Sequence, residues 1–128
     1  MTRIALDTNR YVDFAKGEDA AVAAVERAAV IFVPFVVLGE LRAGFASGSR
    51  SLQNERNLHR FLASPRVELL LPDEDTTHHY ARLFHQLRKQ GTPIPTNDLW
   101  IAALVHQHGL YLCARDRHFD HLPQLPRF

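Results

Sequence analysis

Four short apolar runs, Arg3–Leu6, Val30–Val33, Val67–Leu71 and Leu110–Cys113, recur along the chain with helical sequence between them. No other feature narrows the fold so far. Each run has the length of a strand, and strands that alternate with helices do not pair as hairpins. They pair in parallel through helical crossovers, which cover both faces of the sheet. The pattern predicts an α/β fold, a three-layer α/β/α sandwich around a central parallel sheet of four to five strands. The 128 residues suffice for one such domain, and no repeat, low-complexity tract or long Pro/Gly linker divides residues 1–128.

The intervening stretches set the helices. Helical sequence covers Tyr11–Phe14 and Ala20–Ala29. Pro34 suits the first position of a helix that runs to about Phe45. Leu52, Leu58, Phe61 and Leu62 mark an amphipathic helix over Ser51–Ala63, and Tyr80, Leu83, Phe84 and Leu87 mark another over Glu74–Lys89. The last helix begins in PTND, with Thr96 as its expected N-cap, and stops at Gly109. Its residues Trp100–Val105 are apolar all round, which predicts burial.

That burial makes Asp98 conspicuous. A carboxylate in a first helical turn is favoured by the dipole, and taken alone this explains it. Yet its neighbours one turn on are Ile101 and Ala102, and neither is a cation. Asp7 directly follows the apolar run RIAL. It could cap the next helix, but it also stands at a strand's carboxyl end, where open parallel sheets bind ligands. Glu40, inside PFVVLGELRAGF, is too deep for a dipole effect and has only Val36, Val37, Ala43 and Gly44 at helical spacing. Gly39 and Gly44 beside it are costly in a helix unless something must approach closely. Asp116 follows the strand LYLC, with Arg115 and Arg117 available for local ion pairs.

In a parallel sheet these four carboxylates fall along one rim. Clustered carboxylates raise one another's pKa values unless a cation neutralises them. Oxygen donors without Cys or clustered His favour Mg²⁺ or Mn²⁺ over Zn²⁺. That is the equipment of phosphodiester chemistry.

LDTN, GELRAG, PTNDLWIAAL and ARDRHFDHLP, in this order from Leu6 to Pro123, resemble the PIN-domain ribonucleases, and most closely the VapC-type toxins of toxin–antitoxin pairs. The resemblance implies that Asp7, Glu40, Asp98 and Asp116 form the catalytic acids that hold Mg²⁺ or Mn²⁺. Thr8 and Asn9 would orient Asp7 or the waters on the metal. It further implies an RNA substrate, a small antitoxin protein as partner, a helical arm that helps grip it, and homodimers. The chain departs from the pattern twice. Ala114 stands where many relatives have Ser or Thr, and His118 stands where many carry a further acid. Asp120 is available to replace that acid, or to cap the turn before Leu122-Pro123.

The remaining signals are weaker. His106 and His108 diverge on a helix, and His78 with His79, or His118 with His121, makes no evident metal pair. Arg50, Arg56, His59 and Arg60 give one helix a basic face suited to RNA or to a partner, although a solvated face has the same composition. Net charge is only +1. No apolar run approaches the roughly 20 residues of a membrane span, and MTRIALDTN is too short of apolar residues for a signal peptide. The single Cys113, in LYLC, excludes an internal disulfide and reads as a buried thiol. These features indicate a cytoplasmic protein. The reading competing with an active nuclease is a weak or inactive PIN-fold module that binds RNA or a protein.

Overall fold

The structure is a computed structural model that describes residues 2–128. Its order is β1 (Arg3–Leu6), α1 (Thr8–Ala15), α2 (Asp19–Arg27), β2 (Val30–Pro34), α3 (Phe35–Ala46), α4 (Ser51–Leu62), β3 (Val67–Leu70), α5 (Glu74–Gln90), α6 (Thr96–His108) and β4 (Tyr111–Cys113). A 3₁₀ turn over Arg117–His121 follows. The four strands form one sheet in the order β3-β2-β1-β4, with every pairing parallel. Helices flank it, as the alternating pattern requires.

Burial explains the strand order. Ile4, Ala5 and Leu6 of β1 are all buried, as expected for a central parallel strand covered on both faces. In β3, Glu68 and Leu69 are exposed, which suits an edge. The other edge strand, β4, is completed by the C-terminal tail. Leu112 N–H donates to the Pro126 carbonyl at 2.8 Å, and Phe128 N–H donates to the Leu112 carbonyl at 3.0 Å. The same tail buries Phe119, Leu122 and Leu125.

Two helix starts differ from the sequence-based expectation, for one reason. Pro34 has ψ 143° and Pro95 has ψ 146°, both extended values, so each proline is the N-cap and the helix begins one residue later. Pro34 is therefore the last residue of β2 rather than the first of α3, and Thr96 is the first residue of α6 rather than its cap. Helix α1 also starts earlier than its apolar residues indicate, because Thr8, Asn9 and Arg10 carry no periodic signal.

Helix α6 is the packed centre of the molecule, with Leu99 and Ile101–Val105 buried. Trp100 is half-buried and stacks on Tyr80 of α5 with ring centroids 4.0 Å apart. The α5–α6 contact is fixed by polar groups as well. Thr76 is wholly buried, and its hydroxyl accepts from Asp73 N–H at 2.9 Å and donates to Gln107 Oε1 at 2.6 Å. Gln107 Nε2 in turn donates to Asp73 at 2.8 Å. Thr76→Val keeps the shape but strands these groups, so the midpoint of urea unfolding should show a loss of about 1–3 kcal/mol. A neutral result would mean that the network adds nothing to apolar packing.

Candidate metal centre

The strand order places a topological switch between β1 and β4. The chain leaves β1 toward β2 on one side, whereas β4 lies on the other, and the crevice beyond the carboxyl ends of such strands is where parallel sheets bind ligands. Asp7 stands at that point. Its N–H donates to the Cys113 carbonyl at 3.0 Å, which ties the end of β1 to the end of β4. It is the N-cap of α1 by position, yet its side chain makes no capping hydrogen bond. At 3% exposure it is the one buried carboxylate among the described residues.

The other three acids reach the crevice from different elements. Asp98 projects from the first turn of α6. Asp116, just past β4, caps the 3₁₀ turn by accepting His118 N–H at 2.9 Å. Glu40, in the middle of α3, is held by Thr8, whose hydroxyl donates to Oε1 at 2.8 Å. Their charges act on one another. Burial raises the Asp7 carboxyl to a pKa of about 6; the Thr8 N–H offsets part of this, while Asp98, Glu40 and Asp116 push it further up. Burial likewise raises Asp98, a hydrogen bond from His118 lowers it, and the charges of Asp116 and Glu40 add to the rise.

His118 was not foreseen. Its Nδ1 lies 2.8 Å from Asp98 Oδ2 and 3.0 Å from Asp116 Oδ1, so Asp98 has a side-chain partner after all, from a segment 20 residues on. Asp98, Asp116 and His118 can each offer a ligand atom within 4.8 Å of the others. Pairing histidines with histidines missed this residue; its place two positions after Asp116 was the available signal. Asp120 neither caps the turn nor joins the acids, but pairs with Arg127 at 3.0 Å.

The Thr8 hydroxyl holds Glu40 while its backbone N–H donates to the Asp7 carboxyl, and Asn9 is exposed. Arg115 turns away from Asp116 to pair with Asp13 at 2.8 Å. A Cβ at Gly39 or Gly44 would meet nothing within 4 Å, so no close approach within the protein explains either glycine. His79, which also lies 3.5 Å from Asp75 within α5, meets His106 across α5 and α6 with Nδ1 atoms 2.8 Å apart. Cys113 is buried, as expected.

The donor set fits a hard divalent cation. Several carboxylates converge on a half-buried crevice, and among the described residues no Lys or Arg pairs with Asp7, Glu40, Asp98 or Asp116. Only the imidazole of His118 offers a counter-charge, when protonated.

Comparison with known proteins agrees. The PIN domain family profile matches residues 4–125. Ribonuclease VapC4 of Mycobacterium tuberculosis is 33% identical over 93 residues, covering 73% of this chain and 72% of its own. Ribonuclease VapC1 of Haemophilus influenzae (strain R2866) is 33% identical over 115 residues, covering 85% and 80%. Among solved structures, VapBC2 from Rickettsia felis, bound to a promoter DNA fragment, superposes with TM-score 0.88 at 27% identity, over 99% of this chain and 98% of that one. VapBC-5 from Mycobacterium tuberculosis, a toxin–antitoxin system, gives TM-score 0.74 at 26% identity over 100% of both chains. The chain belongs to the PIN-domain family, alongside the VapC ribonucleases.

Proposed function

We propose that residues 1–128 act as one domain, a metal-dependent endoribonuclease that serves as the toxin of a toxin–antitoxin pair in the cytoplasm. The observation that carries this reading is the convergence of four carboxylates on the switch-point crevice, one of them buried and raised to a pKa of about 6, with no Lys or Arg paired to them among the described residues. Asp7, Glu40, Asp98 and Asp116 would hold Mg²⁺ or Mn²⁺. Bound there, the cation supplies charge neutralisation at the phosphodiester and a water acidic enough to attack phosphorus.

The chain's own residues prepare that chemistry. Asp7 directly follows β1 and is tied to the end of β4 through Cys113, while Asp116 caps the turn just past β4. Thr8 fixes the rotamer of Glu40, and the buried body of α6 fixes Asp98. An acid not engaged in neutralising the cation can accept the proton of the attacking water. Arg50, Arg56 and Arg60 on α4 are exposed and supply phosphate contacts or part of the antitoxin's dock. The solved relatives are VapBC complexes; a small antitoxin gripping α4 and covering the acidic crevice would silence this chain. Phe35, Leu71 and Phe84 are large exposed apolar residues, of the kind that pairing of two copies into a homodimer would cover.

Purified protein should cleave RNA with Mn²⁺ or Mg²⁺ and stop when EDTA is added. Cleavage that survives EDTA would sink the metal mechanism. RNA left intact under every metal condition would instead favour a binding module without catalysis. Expression with and without the neighbouring reading frame tests the toxin role, with growth arrest expected only in its absence.

A further inference from the structure

Of the eight histidines, only His118 faces the acids. Its Nδ1 is 2.8 Å from an oxygen of Asp98 and 3.0 Å from an oxygen of Asp116, and the three ligand atoms lie together within one coordination-sized space. The His118 nitrogen is thus held between the two acids, close enough for all three side chains to serve one ion. A second observation points the same way. Asp7 is nine-tenths buried or more, forms no ion pair among the described residues and has the Thr8 backbone N–H as a hydrogen-bond donor, so a buried carboxylate beside these acids has no cation of its own.

We infer that His118 is itself a metal ligand, so that this centre is a mixed nitrogen–oxygen site that prefers Mn²⁺ to Mg²⁺. The inference rests on the metal-dependent reading given above. Its chemistry follows from donor type. Mg²⁺ keeps oxygen ligands and gives up water reluctantly, whereas imidazole binds first-row transition ions well, with affinity rising from Mn²⁺ toward Cu²⁺. Replacing one oxygen donor by imidazole leaves Mg²⁺ little gain and favours Mn²⁺. Asp116 and His118 belong to one 3₁₀ turn, and the Asp116 cap on His118 N–H sets the turn that aims the ring. Binding the ion displaces the Nδ1 proton to solvent, together with the hydrogen bonds that it makes to the two acids, while the ring is already in place.

The readout is the nitrogen itself. The protein loaded with Mn²⁺ alone should show, by pulsed electron paramagnetic resonance, hyperfine coupling from a directly bound ¹⁴N, and His118→Asn should remove it. His106→Gln should leave it unchanged, which excludes the His79–His106 pair as its source. By titration, the ratio of Mn²⁺ to Mg²⁺ affinity should fall on the order of tenfold in His118→Asp. Circular dichroism and thermal unfolding confirm that each variant is folded; His118 is exposed, so both should be. Mn²⁺ bound at Asp98 without nitrogen coupling, or coupling that persists in His118→Asn, would overturn the inference and leave the acidic centre standing. Failure of the wild type to bind Mn²⁺ at all would overturn the metal reading with it.

Discussion

Asp7→Asn is expected to abolish RNA cleavage and, in the metal-free protein, to raise stability at neutral pH. The two effects share one cause. Asp7 is buried at 3% exposure, and its folded pKa of about 6 lies above the ordinary value of 3.8 that an unfolded chain would show. A raised carboxyl pKa means that the unfolded state gives up its proton first, so the folded state bears a penalty. Below pH 3.8 the group is protonated in both states and the penalty vanishes; it grows as pH rises and is complete above about 6. The difference of roughly two units corresponds to at most about 3 kcal/mol. Asparagine never carries the charge, and so removes the repulsion that Asp7 feels from Asp98. In EDTA at pH 7.5 the variant should therefore unfold at higher urea than the wild type, and the gap should close toward pH 4. Saturating Mg²⁺ or Mn²⁺ should reverse the order, since only the wild type keeps the full ligand set and gains stability by mass action. A variant less stable than wild type in EDTA at pH 7.5 would show that Asp7 serves the fold and not the metal.

The fold was legible because a parallel sheet leaves a coarse trace. Arg3–Leu6 reads as apolar whichever face is considered, and only a central strand covered on both sides does so. The helix boundaries were less legible. Pro34 and Pro95 satisfy the φ of a first helical residue and of an extended cap equally well, so the distinction rests on ψ, which the side chain does not reveal. Three of the four acids stood out as charges without local partners, and that is a statement about sequence neighbours alone. The long-range partners were invisible for the same reason. Thr8 reaches Glu40 across 32 positions, and His118 reaches Asp98 across 20. The C-terminal tail buries Phe119, Leu122 and Leu125 and closes the edge of β4. No periodicity announces a segment that packs without regular structure.

Ile101→Ala is expected to produce the opposite dissociation from Asp7→Asn: a large loss of stability with the chemistry retained. Ile101 lies one turn beyond Asp98 in α6, is fully buried, and is surrounded by the apolar run that continues to Val105. Trimming it to alanine removes three carbons and leaves a cavity that a packed helix cannot collapse around, which costs about 2–5 kcal/mol. For a domain of this size that corresponds to a drop of about 10–20 °C in Tm. Asp98 itself sits in the first turn, at the rim, with its carboxylate held by His118 from another segment. At temperatures where the variant remains folded, Mn²⁺ binding and RNA cleavage should thus stay within a few-fold of wild type. Asp98→Asn should do the reverse and lose cleavage while the fold holds. If Ile101→Ala lost cleavage at low temperature while still folded, the register of α6 would itself be tuned for the site. If it lost less than about 1 kcal/mol, the burial of α6 would not be what fixes Asp98 in place, and the constraint would have to come from the Asp98–His118–Asp116 contacts at the rim.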